Sequence, residues 1–106
     1  MASSTDWDAV VGIAVAVRRR KLQLTQESLA EVAGIHRNYL ADVERGKKSP
    51  TLRVFYDLAV ALQTTPDKLA KQALTYLEDE EKRFAAIAAL PPRRPGRPLK
   101  GSGGDS

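Results

Sequence analysis

Cysteine is absent from the chain, and histidine occurs once, at His36. The first absence removes disulfides and thiolate metal ligands, and fits a reducing compartment. The second leaves no cluster for a metal centre and no nucleophile–base pair. No glycine loop suited to cradling a phosphate is present, and no paired carboxylates stand on a pocket-like scaffold. An enzyme is therefore not expected, and no cofactor is implied. Long apolar runs are missing as well. Val10 to Val17 is apolar but too short to span a bilayer. Arg18-Arg19-Arg20-Lys21 follows that run, the reverse of a secretory signal, so a cytoplasmic protein is expected.

What remains is one domain's worth of core with a basic end. Of the formal charge of +4, a net +3 lies between Pro91 and Ser106, where Arg93, Arg94, Arg97 and Lys100 face only Asp105. The rest of the chain is close to neutral.

Apolar spacing reads as helix throughout. Residues 1–5 are small and polar and expected to fray. Asp6 caps a first helix to about Leu22, with Trp7, Val11, Ala14, Val15 and Leu22 on one face. Thr25 caps a second, with Leu29, Ala30 and Ala33 inward, and Gly34 supplies the positive φ that ends it. A third runs from about His36 to Arg45, with Leu40, Val43 and the aliphatic part of Glu44 inward, and stops at Gly46. Its outward face carries Arg37, Asn38, Ala41 and Asp42, and Lys47-Lys48-Ser49-Pro50 follows as a basic loop. Two short helices around a glycine turn, then a basic exit loop, form a helix-turn-helix, the arrangement that lays a helix in the major groove. Thr51 caps a fourth helix with Leu52, Phe55, Leu58, Ala59 and Leu62 inward. Thr65-Pro66-Asp67 opens a fifth, which the spacing continues through the acidic run Glu78 to Glu81 as far as Leu90.

The expected architecture is thus all-α: a five-helix domain over residues 6–77, a helical extension over 78–90, and a disordered basic tail over 91–106. A helix from Pro66 to Leu90 would be roughly 37 Å long, more than so small a domain covers. Its apolar residues are therefore candidates for a homodimer interface: Leu69, Ala73, Leu74 and Leu77 proximally, Phe84 and Ile87 distally. The alternative is a break near Glu78 that folds the distal segment back over its own core.

Thr25-Gln26-Glu27-x-Leu29-Ala30, Ala33-Gly34-Ile35, Tyr39-Leu40-x-x-Val43-Glu44-Arg45-Gly46-Lys47 and Pro50-Thr51-Leu52 resemble the Cro/C1-type (Xre) family of bacterial and phage regulators. The resemblance covers about Val11 to Leu69. His36-Arg37-x-Tyr39 with Asp42-Val43-Glu44-Arg45-Gly46 is similar, within it, to the controller proteins of restriction–modification systems. It implies a lambda-repressor-like fold and a transcriptional repressor or autoregulator. It also implies an internal ion pair between Arg19 and Glu44, joining helix one to the recognition helix. Gln63 and Thr64 depart from the family's small residue and aliphatic after helix four.

Docking logic assigns roles to the surface. Arg37, at the start of the recognition helix, matches the O6 and N7 acceptors of guanine, or else touches phosphate. Asn38 can pair with adenine or merely tolerate the surface. Asp42 can accept from a cytosine amino group, or orient Arg37 or Arg45. Tyr39 can meet a phosphate or a thymine methyl, or lie half-buried. His36 overlies a phosphate or caps the helix poorly. Gln26 can join free backbone N–H groups in holding a phosphate. Lys47, Lys48 and Thr51 flank the recognition helix for backbone contact, unless they form only a solvated loop, and Arg53 is a further phosphate candidate. In the tail, Arg94, Gly96, Arg97 and Pro98 resemble an AT-hook for the minor groove, although Pro95 stands where such a hook has arginine. A plain basic tail is the simpler reading.

Two functions follow. One is a sequence-specific regulator that binds double-stranded DNA, at a palindromic operator, as a homodimer. The other is an antitoxin or anti-activator that acts on a protein partner through its long last helix. No membrane association is expected.

Overall fold

The computed structural model describes residues 4–91, with side chains from residue 6 onward, and all of its regular structure is helical. The tail residues Arg94, Gly96, Arg97 and Pro98 lie outside the described residues. Six helices follow in order: α1 (Ser4–Lys21), α2 (Gln26–Ala33), α3 (Arg37–Glu44), α4 (Leu52–Ala61), α5 (Pro66–Glu78) and α6 (Glu80–Ala89). None of them is long and apolar enough to cross a membrane.

The helix α1 is the axle of the domain. Val10, Val11, Ile13, Ala14, Val15 and Ala16 are all buried, a wider band than one amphipathic stripe. A helix apolar nearly all round needs neighbours on several sides, and α1 packs against α3, α5 and α6. It begins at Ser4, so Asp6 lies in its first turn rather than capping it. Leu29, Leu40, Val43, Leu58, Leu62, Leu69 and Ala73 close the core around it.

Local chemistry sets most boundaries. The Thr25 hydroxyl accepts from the Ser28 N–H, and that of Thr51 from the Val54 N–H. Thr65 behaves differently: its side chain makes no such cap, and instead bonds the Asp67 carboxylate. This bond, foremost among several, holds the Asp67 carboxyl below its ordinary range. The stabilisation is present above the usual aspartate pKa and is lost as the pH falls through the depressed one.

The first four helices all end in the same paired 6→1 and 5→2 backbone bonds. Two of the left-handed residues these turns demand are Gly34 and Gly46; the others are Gln23 (φ 61°) and Gln63 (φ 60°). A left-handed non-glycine residue costs about 1–2 kcal/mol, part of which glycine returns through unfolded-state entropy. Gln63→Gly should therefore raise stability by about 0.5–1 kcal/mol, read as a higher urea midpoint at unchanged slope. A lower midpoint would show that the Gln63 side chain contributes more than its backbone strain costs.

Two expectations need correction. Leu52, expected in the α4 core stripe, is 88% exposed. As the first residue of α4 it points back over the helix N-terminus, where a loop rather than another helix precedes it. Core packing begins with Val54 and Phe55.

The second correction concerns the long fifth helix, which breaks at Asp79. That residue is extended (φ −120°, ψ 100°), and its carboxylate accepts from the Lys82 N–H while Glu80 and Glu81 fill the first turn of α6. An aspartate cap with two acids behind it starts a new helix more favourably than it continues the old one. Arg83 then donates to the Tyr76 carbonyl at 3.3 Å, and Ala86 packs on the core. The distal segment thus folds back against α5 and α1.

Candidate nucleic-acid interface

Leu40 and Val43 are completely buried, which fixes the rotation of α3 and turns Arg37, Asn38 and Asp42 away from the core. Its last residue, Glu44, points inward and is the anchor of the helix. Arg19 donates to both Glu44 carboxylate oxygens, through Nε at 2.7 Å and Nη2 at 3.0 Å, and its Nη1 reaches the Leu24 carbonyl at 2.8 Å. The side chains are 13% and 6% exposed, so this bidentate pair is largely desolvated.

Gln26 Nε2 also donates to Glu44 at 2.9 Å. Three elements therefore meet on one carboxylate: α1, the start of α2 and the end of α3. The Gln26 amide, expected to face phosphate, is tied to Glu44 in the free protein.

Gly12, in the middle of α1, was not singled out by the sequence reading. A Cβ there would overlap the Val43 carbonyl oxygen and stand 2.5 Å from that of Glu44. Its bare Cα thus lets α1 press directly on the last turn of α3. Gly46, just beyond α3, meets the other side of this contact: a Cβ on it would lie 2.9 Å from Ala9 Cα. A glycine inside an otherwise apolar helix costs about 1 kcal/mol and is the signal that such a contact exists.

On the outer face, Arg37 Nη2 donates to Asn38 Oδ1 at 3.0 Å, keeping the guanidinium beside the amide. Asp42 pairs with Arg45 at 2.8 Å and Lys48 at 3.8 Å, and not with Arg37. The Lys48 ammonium also lies 5.9 Å from the centre of the half-buried Tyr39 ring. His36 sits extended at the N-cap of α3 and makes no capping bond with its side chain. Thr51 spends its hydroxyl on capping α4. Lys47, Lys48 and Arg53 are exposed, so the basic rim beside α3 is accessible.

Arg18, one of the four cations that end α1, has a structural task. Nε and Nη2 donate to the Leu62 and Gln63 carbonyls at 2.9 and 3.0 Å, closing the end of α4. Of the expected interface residues, Leu69 and Ala73 are buried in their own core and Leu77 packs against it. Leu74, Phe84 and Ile87 remain exposed.

The model of a helix-turn-helix family matches residues 16–69, just over half of the chain and all of α2 to α4. The chain belongs to the Cro/C1-type helix-turn-helix family. Among relatives of this family, control protein C.SmaI of Serratia marcescens is 46% identical over 52 residues, 48% of this chain and 62% of that protein. The match thus spans less than two thirds of the control protein. The immunity repressor of Bacillus phage phi105 is 42% identical over 52 residues, 49% of this chain and 36% of the repressor.

Among solved structures, the restriction–modification controller protein C.AhdI of Aeromonas hydrophila superposes with a TM-score of 0.57 at 34% identity, over 58% of this chain and 94% of that one. The clp gene regulator ClgR of Corynebacterium glutamicum shares the fold, at 20% identity and a TM-score of 0.69 over 79% and 89% of the two chains. Membership of the Cro/C1-type family agrees with the two-helix geometry built above from the residues alone.

Proposed function

We propose that this protein is a transcription regulator that binds an inverted-repeat operator as a homodimer, with α3 in the major groove. The observation that carries the reading is the division of α3 into two faces. One is locked to the core by Leu40, Val43 and Glu44; the other presents Arg37, Asn38 and Asp42 beside the cations of the following loop. The names of the relatives, a control protein and an immunity repressor, support a regulatory role.

In this reading Arg37 reads a guanine and Asn38, already its hydrogen-bond partner, sets its approach. Asp42 holds Arg45 and Lys48 toward the backbone. The free backbone N–H groups at the starts of α2 and α4 frame the phosphates on either side, with Lys47 and Arg53 adding charge. Arg37→Ala should cost about 1–3 kcal/mol on the cognate site and relax preference at one base pair per half-site. Lys47→Ala and Lys48→Ala should weaken all sequences alike and flatten the dependence of affinity on salt. Competition binding across single-base operator variants checks both. A uniform loss in Arg37→Ala would make that residue a phosphate contact instead.

Dimerisation in this reading uses the exposed Phe84 and Ile87, 58% and 46% accessible, together with Leu74. Phe84→Glu with Ile87→Glu should convert dimer to monomer in sedimentation equilibrium, and lower operator affinity in parallel. A second apolar stripe, Leu52, Tyr56 and Val60, runs along α4. A dimer of unchanged strength in the double variant would remove α6 from the interface and point to that stripe.

A further inference from the structure

A cleft of about 340 Å³ lies between α1 and α5. Three cations line it, Arg18 and Lys21 from α1 and Lys68 from α5, and no carboxylate does. Asp67, the acid nearest in sequence, has its carboxylate bonded to Thr65 and to the first N–H groups of its own helix. Asp67 acts on Lys68 from outside the cleft, while the lining itself carries three cations and no carboxylate. Val17, Leu69 and Tyr76 contribute apolar surface to the same lining, and Thr64 and Gln72 contribute hydrogen-bonding groups.

Positive charge beside some apolar surface is complementary to a ligand with an anionic head and a small apolar body. We propose that this cleft binds a small organic carboxylate. The volume lies near the lower end for ligand sites and suits a body of one ring or a short chain. Lys21 and Lys68 are both exposed and able to close on the carboxylate from opposite helices. Arg18, with Nε and Nη2 committed to the end of α4, supplies a fixed positive charge between them. Because the cations come from α1 and α5, a bound carboxylate would tie the central helix to the C-terminal part of the domain. This site is independent of the DNA-binding reading.

Benzoate and hexanoate, with inorganic phosphate as comparison, are the probes, titrated into the ¹⁵N-labelled full chain and followed by amide shifts. Saturable shifts centred on Lys21, Thr64, Lys68 and Gln72, with a dissociation constant of about 1 mM or tighter, are expected. Lys21→Ala with Lys68→Ala should weaken binding about tenfold or more. Neither side chain is buried, so circular dichroism should show the variant folded. Phosphate should bind more weakly than either carboxylate. Absence of saturable shifts, shifts centred on Lys47 and Lys48, carboxylate binding unchanged in the double variant, or phosphate binding as tightly as benzoate would each overturn the proposal.

Discussion

Gly12→Ala should destabilise the domain by about 3 kcal/mol, although alanine is the better helix former by up to about 1 kcal/mol. The added methyl would occupy space held by the Val43 and Glu44 carbonyl oxygens, both backbone atoms in the last turn of α3. No rotamer change relieves such an overlap. Either α1 shifts, disturbing Val10, Val11 and Val15, or α3 moves outward and strains the Glu44 network. For a domain of this size the loss corresponds to a fall in melting temperature of roughly 12–24 °C. Part of it should appear as lost DNA affinity even at low temperature, because the displaced element is α3, the helix proposed to enter the major groove. Thermal unfolding followed by helical circular dichroism checks the first effect. A Gly12→Ala protein as stable as the parent would mean that the two helices are free to separate at no cost.

Glu44→Leu should be comparably damaging, at about 3–5 kcal/mol, for an electrostatic reason. Without the carboxylate, the Arg19 guanidinium is left 13% exposed with only the Leu24 carbonyl to receive it, and Gln26 loses its acceptor. The double variant Arg19→Met with Glu44→Leu should recover much of that loss, since no unpaired charge then remains in the interior. Urea denaturation of the two single variants and the double, read as a cycle, separates the pair from its surroundings. Additive costs would show that the two side chains act independently despite their 2.7 Å contact. Leu40 and Val43 still seat α3 in the double variant, so operator binding should survive better there than in Glu44→Leu.

Much of the fold and of the candidate surface was legible because it rests on local rules. The Thr25 and Thr51 caps, the left-handed Gly34 and Gly46, and the inward positions Leu29, Ala30, Leu40 and Val43 each follow from a few neighbouring residues. The Arg19–Glu44 contact is different. Its partners are 25 residues apart, and only the family resemblance implied it.

What escaped notice depends on packing between distant segments. Gly12 reads as a minor flaw in a helix until α3 is placed against it. Arg18 reads as one of four cations until the end of α4 offers it two carbonyls. The break at Asp79 was legible in principle, since Asp79-Glu80-Glu81 is a helix-start pattern. A break near Glu78 was accordingly one of the two readings, and the continuous helix competed with it because apolar spacing resumes at Phe84 and the acids also suit a solvated face. Leu69 and Ala73, expected to pack partly on their own domain and partly across a two-fold axis, are core residues.

The central claim is that the outward face of α3 reads a symmetric DNA sequence. Selection of bound fragments from random duplex DNA by the full chain, repeated with Arg37→Ala, tests it most directly. The expected outcome is an inverted repeat with half-sites about one helical turn apart, roughly 34–36 Å, that loses preference at one symmetric pair of positions in the variant. Absence of any enriched sequence, or the same consensus at every position from parent and variant, would contradict it.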